Sequence, residues 1–172
     1  MEPLVDTVIE DPRWEGVDLP ALADKAATAT FAALGLPEPG FSLCVLGCDD
    51  ARIAGLNGEF RLKGTATNVL SFPSENRAAE ATGLVPDLPE PGDANNPEEL
   101  GDIAISYDTC ARETVEQGKE LSHHVTHLVV HGILHLLGYD HIDDADADVM
   151  ECLEARILAG LGIDDPYRAT QL

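Results

Sequence analysis

The stretch HGILHLLGYDH, from His131 to His141, holds three of the chain's six histidines at spacings of four and then six residues. On an α-helix, residues four apart lie about 40° apart in angle and one turn apart in height. His131 and His135 are therefore expected to present two imidazoles side by side on one face. Gly138 can take a positive φ, end the helix and turn the chain back, so that Tyr139 and Asp140 return His141 towards His135. Two ligands from a helix and one from the loop after it leave one tetrahedral position open. That is the arrangement of a catalytic zinc, whereas a structural zinc is closed by four protein ligands. A metal held by three neutral imidazoles keeps its full charge for activating water or polarising a substrate oxygen.

The competing reading is histidines at ordinary helical spacing, because His123, His127, His131 and His135 all follow one another at four-residue steps. Only the last two have a glycine stop and a third histidine within reach. His127, one turn earlier, is expected to support His131 or to face substrate, and His123 and His124 to lie in solvent. Gly132 stands where an HExxH zinc protease carries the glutamate that serves as general base, which argues against that class. A glycine there also suits a helix whose backbone a bulky substrate approaches.

The elements that must position these groups can be read from pattern and punctuation. Residues 4–9 alternate and are β-branched, as in a strand. A helix follows, with Asp18 as cap, Pro20 in its first turn and Gly35 at its end. FSLCVLG is a second strand, and a shorter helix capped by Asp49 or Asp50 ends near Asn57-Gly58. TNVLSFP, stopped by Pro73, is a third strand, and Ser71 and Thr67 on it could line a cleft or simply pack. Residues 74–98 are rich in Pro, Gly, Asn and acids without a period. They read as a long surface loop that buries little and is dispensable for the fold. LGDIAISY is a fourth strand. Helices are expected over 108–117, 121–137 and 144–161, the last with an apolar stripe of Val149, Met150, Leu153, Ile157, Leu158 and Leu161. The fold class is α+β: a single domain over residues 1–172, with a mixed sheet of about four strands and about five helices.

Composition limits the function. The 172 residues suffice for one domain with a real core. No apolar run approaches the roughly 20 residues that span a bilayer. The acidic N-terminus lacks the basic and apolar regions of a signal peptide. Cys44, Cys48, Cys110 and Cys152 sit in apolar patterns and read as reduced core thiols of a cytoplasmic protein. The net charge of −22 argues against a general nucleic-acid binder. Between Arg52 and Phe72, however, Arg52, Arg61 and Lys63 face Glu59 alone, a local net charge of +2. An anion would be welcome there.

HGILHLLGYDH resembles the signature of the YbeY-type endoribonucleases, the rRNA maturation factors. The likeness extends to LNGEFRLKGTATNVLSFP upstream, LGDIAIS between, and ADVMECLEARILAGLG towards the C-terminus, in the family's order. It implies a single-strand-specific, metal-dependent endoribonuclease with one zinc ion per chain. Its partners would be single-stranded RNA and the ribosomal small subunit, in maturation of the small-subunit (16S) rRNA 3′ end and in ribosome quality control. Carried over by position, His131, His135 and His141 are the zinc ligands, and Arg61 and His131 the catalytic residues, with Arg61 facing phosphate. Asp140 reads as a group that holds the turn or orients a ligand, with general base as the lesser option. The pattern fits attack by water and attack by the RNA's own 2′-hydroxyl alike. The alternatives are a ribosome-assembly factor with a structural metal and a metal-dependent hydrolase of another substrate. The 74–98 loop looks longer and more acidic than the family's usual connection, and the basic surface is thin.

Overall fold

The computed structural model describes residues 4–61, 64–79, 81–93, 95–141 and 143–167, with backbone alone over 59–61. Four strands form one mixed sheet: β1 (Val5–Ile9), β2 (Phe41–Cys48), β3 (Val69–Pro73) and β4 (Glu98–Ser106), in the order β1-β2-β4-β3. β1, β2 and β4 run parallel, and β3 lies antiparallel on β4 at the sheet edge, with Ser71 opposite Ile103. The helices are α1 (Leu19–Leu34), α2 (Asp50–Arg61), α3 (Tyr107–Gln117), α4 (Leu121–Leu136) and α5 (Asp144–Gly160).

Period-2 alternation splits the sheet residues between two cores. Phe41, Leu43, Val45, Ile103 and Ile105 join the larger cluster with apolar residues of α1, α4 and α5, including Phe31, Val129, Ile133 and Leu158. Cys48 and Ala104 meet Ile53 of α2 in a smaller cluster, with Leu46, Leu70 and Phe72 against it. A four-residue 3-10 turn, Pro12–Glu15, was not foreseen. It seats Trp14 fully inside, where the indole Nε1 donates to Cys48 O at 3.0 Å.

Several expectations change. Asp18 precedes α1 but makes no side-chain cap bond; it adopts φ 53° instead. Asp49 caps α2, accepting from Arg52 N at 2.9 Å. α2 runs past Asn57-Gly58 to Arg61, because Asn57 and Gly58 serve the returning chain and do not stop the helix. Asn57 Nδ2 donates to Thr65 O at 2.9 Å, and a Cβ on Gly58 would lie 3.1 Å from Gly64 Cα. Cys48 and Cys110 are buried, Cys44 is half-buried and Cys152 is exposed, so the core-thiol reading fails for Cys152. No helix among the described residues is long and apolar enough to cross a membrane.

The segment after β3 is more than a surface loop. The Arg77 side chain is only 8% exposed; its guanidinium bonds Glu75 and Glu98 and reaches Leu136 O, at the end of α4, at 3.4 Å. Gly83 N donates to Asp146 on α5 at 2.7 Å. A segment without apolar period thus fastens itself through polar bonds, which periodicity does not register. Leu84, Val85 and Leu88 remain exposed, as expected of its outer part.

Candidate metal centre

α4 lies against the sheet with Gly132 facing inward. A Cβ there would stand 3.0–3.2 Å from three side-chain atoms of Ile103. The glycine therefore permits close helix–sheet approach, and the expected access of substrate to its backbone is not what the fold uses it for. Ser71 Oγ donates to Gly132 O at 3.4 Å from the facing strand. The helix ends in a Schellman motif: Gly138 N donates to His135 O and Tyr139 N to Leu134 O, each at 3.0 Å. Gly138 takes φ 106°, and a Cβ on it would fall 2.1 Å from Arg77 O. Tyr139 is buried beyond the turn, and the chain comes back with His141.

The expected triad assembles. His131, His135 and His141 each offer a ring nitrogen, all within 4.8 Å of one another, and among the described residues no other group of three His, Cys, Asp or Glu does so. The Nε2 atoms of His131 and His135 stand 3.1 Å apart. Two nitrogens on a tetrahedral zinc, at about 2.0–2.1 Å each, would be roughly 3.3 Å apart, so the donor set fits that ion. Burial, aided by His131 and His141, lowers the His135 pKa to about 4, which keeps it neutral at pH 7 as a ligand must be. His141 is half exposed; its backbone N–H donates to Asp140 Oδ1 at 2.7 Å and its Nδ1 lies 3.5 Å from the same atom. Asp140 thus holds the turn.

The triad borders a groove of about 640 Å³ between β3 and the end of α4, lined also by Thr67, Ser71, Asn76, Arg77 and Tyr139. Arg61 closes α2, and its side chain lies outside the described residues, as does Lys63 altogether. Arg52 pairs with Glu10 at 3.2 Å, which offsets its charge.

Of the other histidines, His123 is exposed beside Glu120. His124, expected in solvent, is 5% exposed, and its Nε2 lies 2.9 Å from Glu113 Oε1. An i+4 series alone does not say which face of a helix is covered; α3 covers this one. Burial lowers the His124 pKa, and the Glu113 bond opposes that.

Glu154 and Tyr167 were missed. Glu154, on α5, is fully buried, with Oε1 2.6 Å from His131 Nδ1 and 3.5 Å from His127 Nε2. Tyr167 donates its hydroxyl to Oε2. Burial alone would raise this carboxyl, but hydrogen bonds from His127, His131 and Tyr167 outweigh it and hold the pKa at about 2. The signal was present in the sequence: Glu154 lies four residues from both Met150 and Leu158, inside the apolar stripe, where a carboxylate needs partners. Tyr167, in a polar tail, gave none.

A family model described as Endoribonuclease YbeY matches residues 11–162. A protein of Cereibacter sphaeroides named Endoribonuclease YbeY is 66% identical over 167 residues, covering 97% of this chain and all of that one. A protein of the same name from Ruegeria pomeroyi is 58% identical over 163 residues, covering 95% and 97%. The solution structure of TM1509 from Thermotoga maritima shares the fold, with TM-score 0.54 at 18% identity over 92% of this chain and 91% of that one.

Proposed function

Since the chain belongs to the endoribonuclease YbeY family, we propose that it is a single-strand-specific, zinc-dependent endoribonuclease of small-subunit rRNA 3′-end maturation and ribosome quality control. The observation that carries the metal reading is the convergence of His131, His135 and His141 within 4.8 Å beside an open groove. Zinc bound there would supply Lewis acidity, for activating a nucleophile or polarising a phosphoryl oxygen.

The chain's own groups supply the rest. His131 and His135 come from one rigid helix, so their spacing is preset and little ordering remains to be done when a ligand arrives. His141 comes from the turn that Asp140 and Gly138 hold. Arg61, at the end of α2, would offer a planar fork to the phosphate, a geometry that lysine cannot reproduce. Thr67 lines the groove as a polar wall. With Arg52 paired to Glu10, the cations left for phosphate are few, and Glu75 and Asp140 line the same groove. Binding to RNA alone is therefore weak, and the small subunit in the cytoplasm supplies most of the localisation.

The test is metal content together with cleavage of single-stranded and duplex RNA by the purified protein and its histidine variants. One zinc per chain is expected, lost in His131→Ala, His135→Ala and His141→Ala and kept in His123→Ala. Arg61→Ala should lose cleavage while keeping zinc, and Arg61→Lys should recover part of it. Full zinc in His141→Ala would overturn the three-ligand site. Full support of ribosome maturation by a zinc-free histidine variant would favour an assembly factor.

A further inference from the structure

We propose that Glu154 is the positioning residue of the metal centre: its buried carboxylate keeps the proton of His131 on Nδ1 and so turns the Nε2 lone pair towards His135. This rests on the reading of His131 as a metal ligand. An ionised carboxylate can only accept, so a 2.6 Å contact between Oε1 and Nδ1 requires the proton on that ring nitrogen. In the neutral ring that a metal ligand must be, the lone pair is then on the other nitrogen, which faces His135 Nε2 at 3.1 Å. A histidine on a helix still turns about its Cβ–Cγ bond, and the carboxylate removes that freedom from the first ligand of the triad.

The carboxylate is itself fixed. Tyr167 binds its Oε2 from the segment after α5, and His127 lies 3.5 Å from Oε1 one helical turn before His131. Three stretches of chain thus meet on one side chain with no exposure at all. The fold does not require this arrangement. Met150, Leu153, Ile157 and Leu158 surround the position on α5, and an apolar residue would continue their stripe without the desolvation cost of a buried charge. The groups that justify the carboxylate lie on the side of the metal site.

The experiment compares wild type, Glu154→Gln and Tyr167→Phe by zinc affinity, in competition with a chromophoric chelator, and by His131 tautomer, read from ring 15N shifts of the zinc-free protein. Glu154→Gln should weaken zinc binding roughly 10- to 100-fold, the range found when partners of ligand histidines are removed. It should also move part of the His131 proton to Nε2. Tyr167→Phe should shift both readouts in the same direction by less. Unchanged affinity and tautomer in Glu154→Gln would overturn the proposal, and so would weaker zinc binding with an unchanged tautomer. If Glu154→Gln does not fold, Tyr167→Phe decides by the same criteria. Absence of zinc binding in the wild type would instead defeat the metal reading, while the tautomer comparison still decides the role of Glu154.

Discussion

Gly138→Ala puts the turn that returns His141 under the most direct test. At φ 106° the backbone is in a region that alanine tolerates at a cost of about 1–3 kcal/mol. The added Cβ would also fall 2.1 Å from Arg77 O and 2.6 Å from Arg77 C, both backbone atoms that cannot rotate away. Forced repacking of that kind adds roughly 1–3 kcal/mol, so a total of about 2–6 kcal/mol is expected. For a domain of this size, about 2–4 °C per kcal/mol translates this into a fall in Tm of roughly 4–24 °C. Two other glycines separate the terms. Gly162 has φ 76° with nothing within 4 Å of a Cβ, so Gly162→Ala carries strain alone, about 1–2 kcal/mol. Gly160 has neither positive φ nor neighbour, so Gly160→Ala should be neutral or stabilising by up to about 1 kcal/mol. Thermal denaturation of the three variants, with zinc titration of Gly138→Ala, measures the series. If Gly138→Ala melts no lower than Gly162→Ala, the contact with Arg77 is not a constraint on the turn and the reasoning fails.

Three other expectations follow from particular contacts. Gly132→Ala should cost about 1–3 kcal/mol by pressing on Ile103, and Ile103→Val should relieve part of that in a double-mutant cycle; an additive cycle would deny the contact. Arg77→Ala removes a charge-assisted cap from Leu136 O and should cost roughly 1.5–3 kcal/mol in chemical denaturation. A Gly-Ser link replacing residues 74–98 should cost more still, in contrast to the dispensability that composition suggested. His124 is buried with its folded pKa below the unfolded value of about 6.5, so the unfolded chain binds more protons as pH falls. Its contribution is present above about pH 6.5 and is lost as pH falls below it. The zinc-free protein should therefore lose Tm on acidification, and His124→Gln should flatten that slope; an equal slope in the variant would place the titration elsewhere.

What the sequence determined by itself was local. The i, i+4 pair, the glycine after it and the third histidine lie within eleven residues, so helix geometry and one positive φ suffice to bring them together. The strands, likewise, announced themselves by alternation and by their glycine and proline stops. Tertiary structure decided whatever depends on which surface covers which. Gly132 looked like an opening for substrate until Ile103 came to occupy the space above it. His124 and His123 are adjacent in sequence, yet α3 buries one and leaves the other in solvent. The segment after β3 has no period because polar bonds from Arg77 and Gly83 hold it, and such bonds leave no apolar rhythm in a chain. Glu154 reaches His131 from 23 residues away, and Tyr167 reaches Glu154 from beyond the end of α5, across contacts that no spacing within one helix encodes. Spacing along the chain could specify which nitrogens would converge; what holds them in place is supplied by groups that only folding brings into reach.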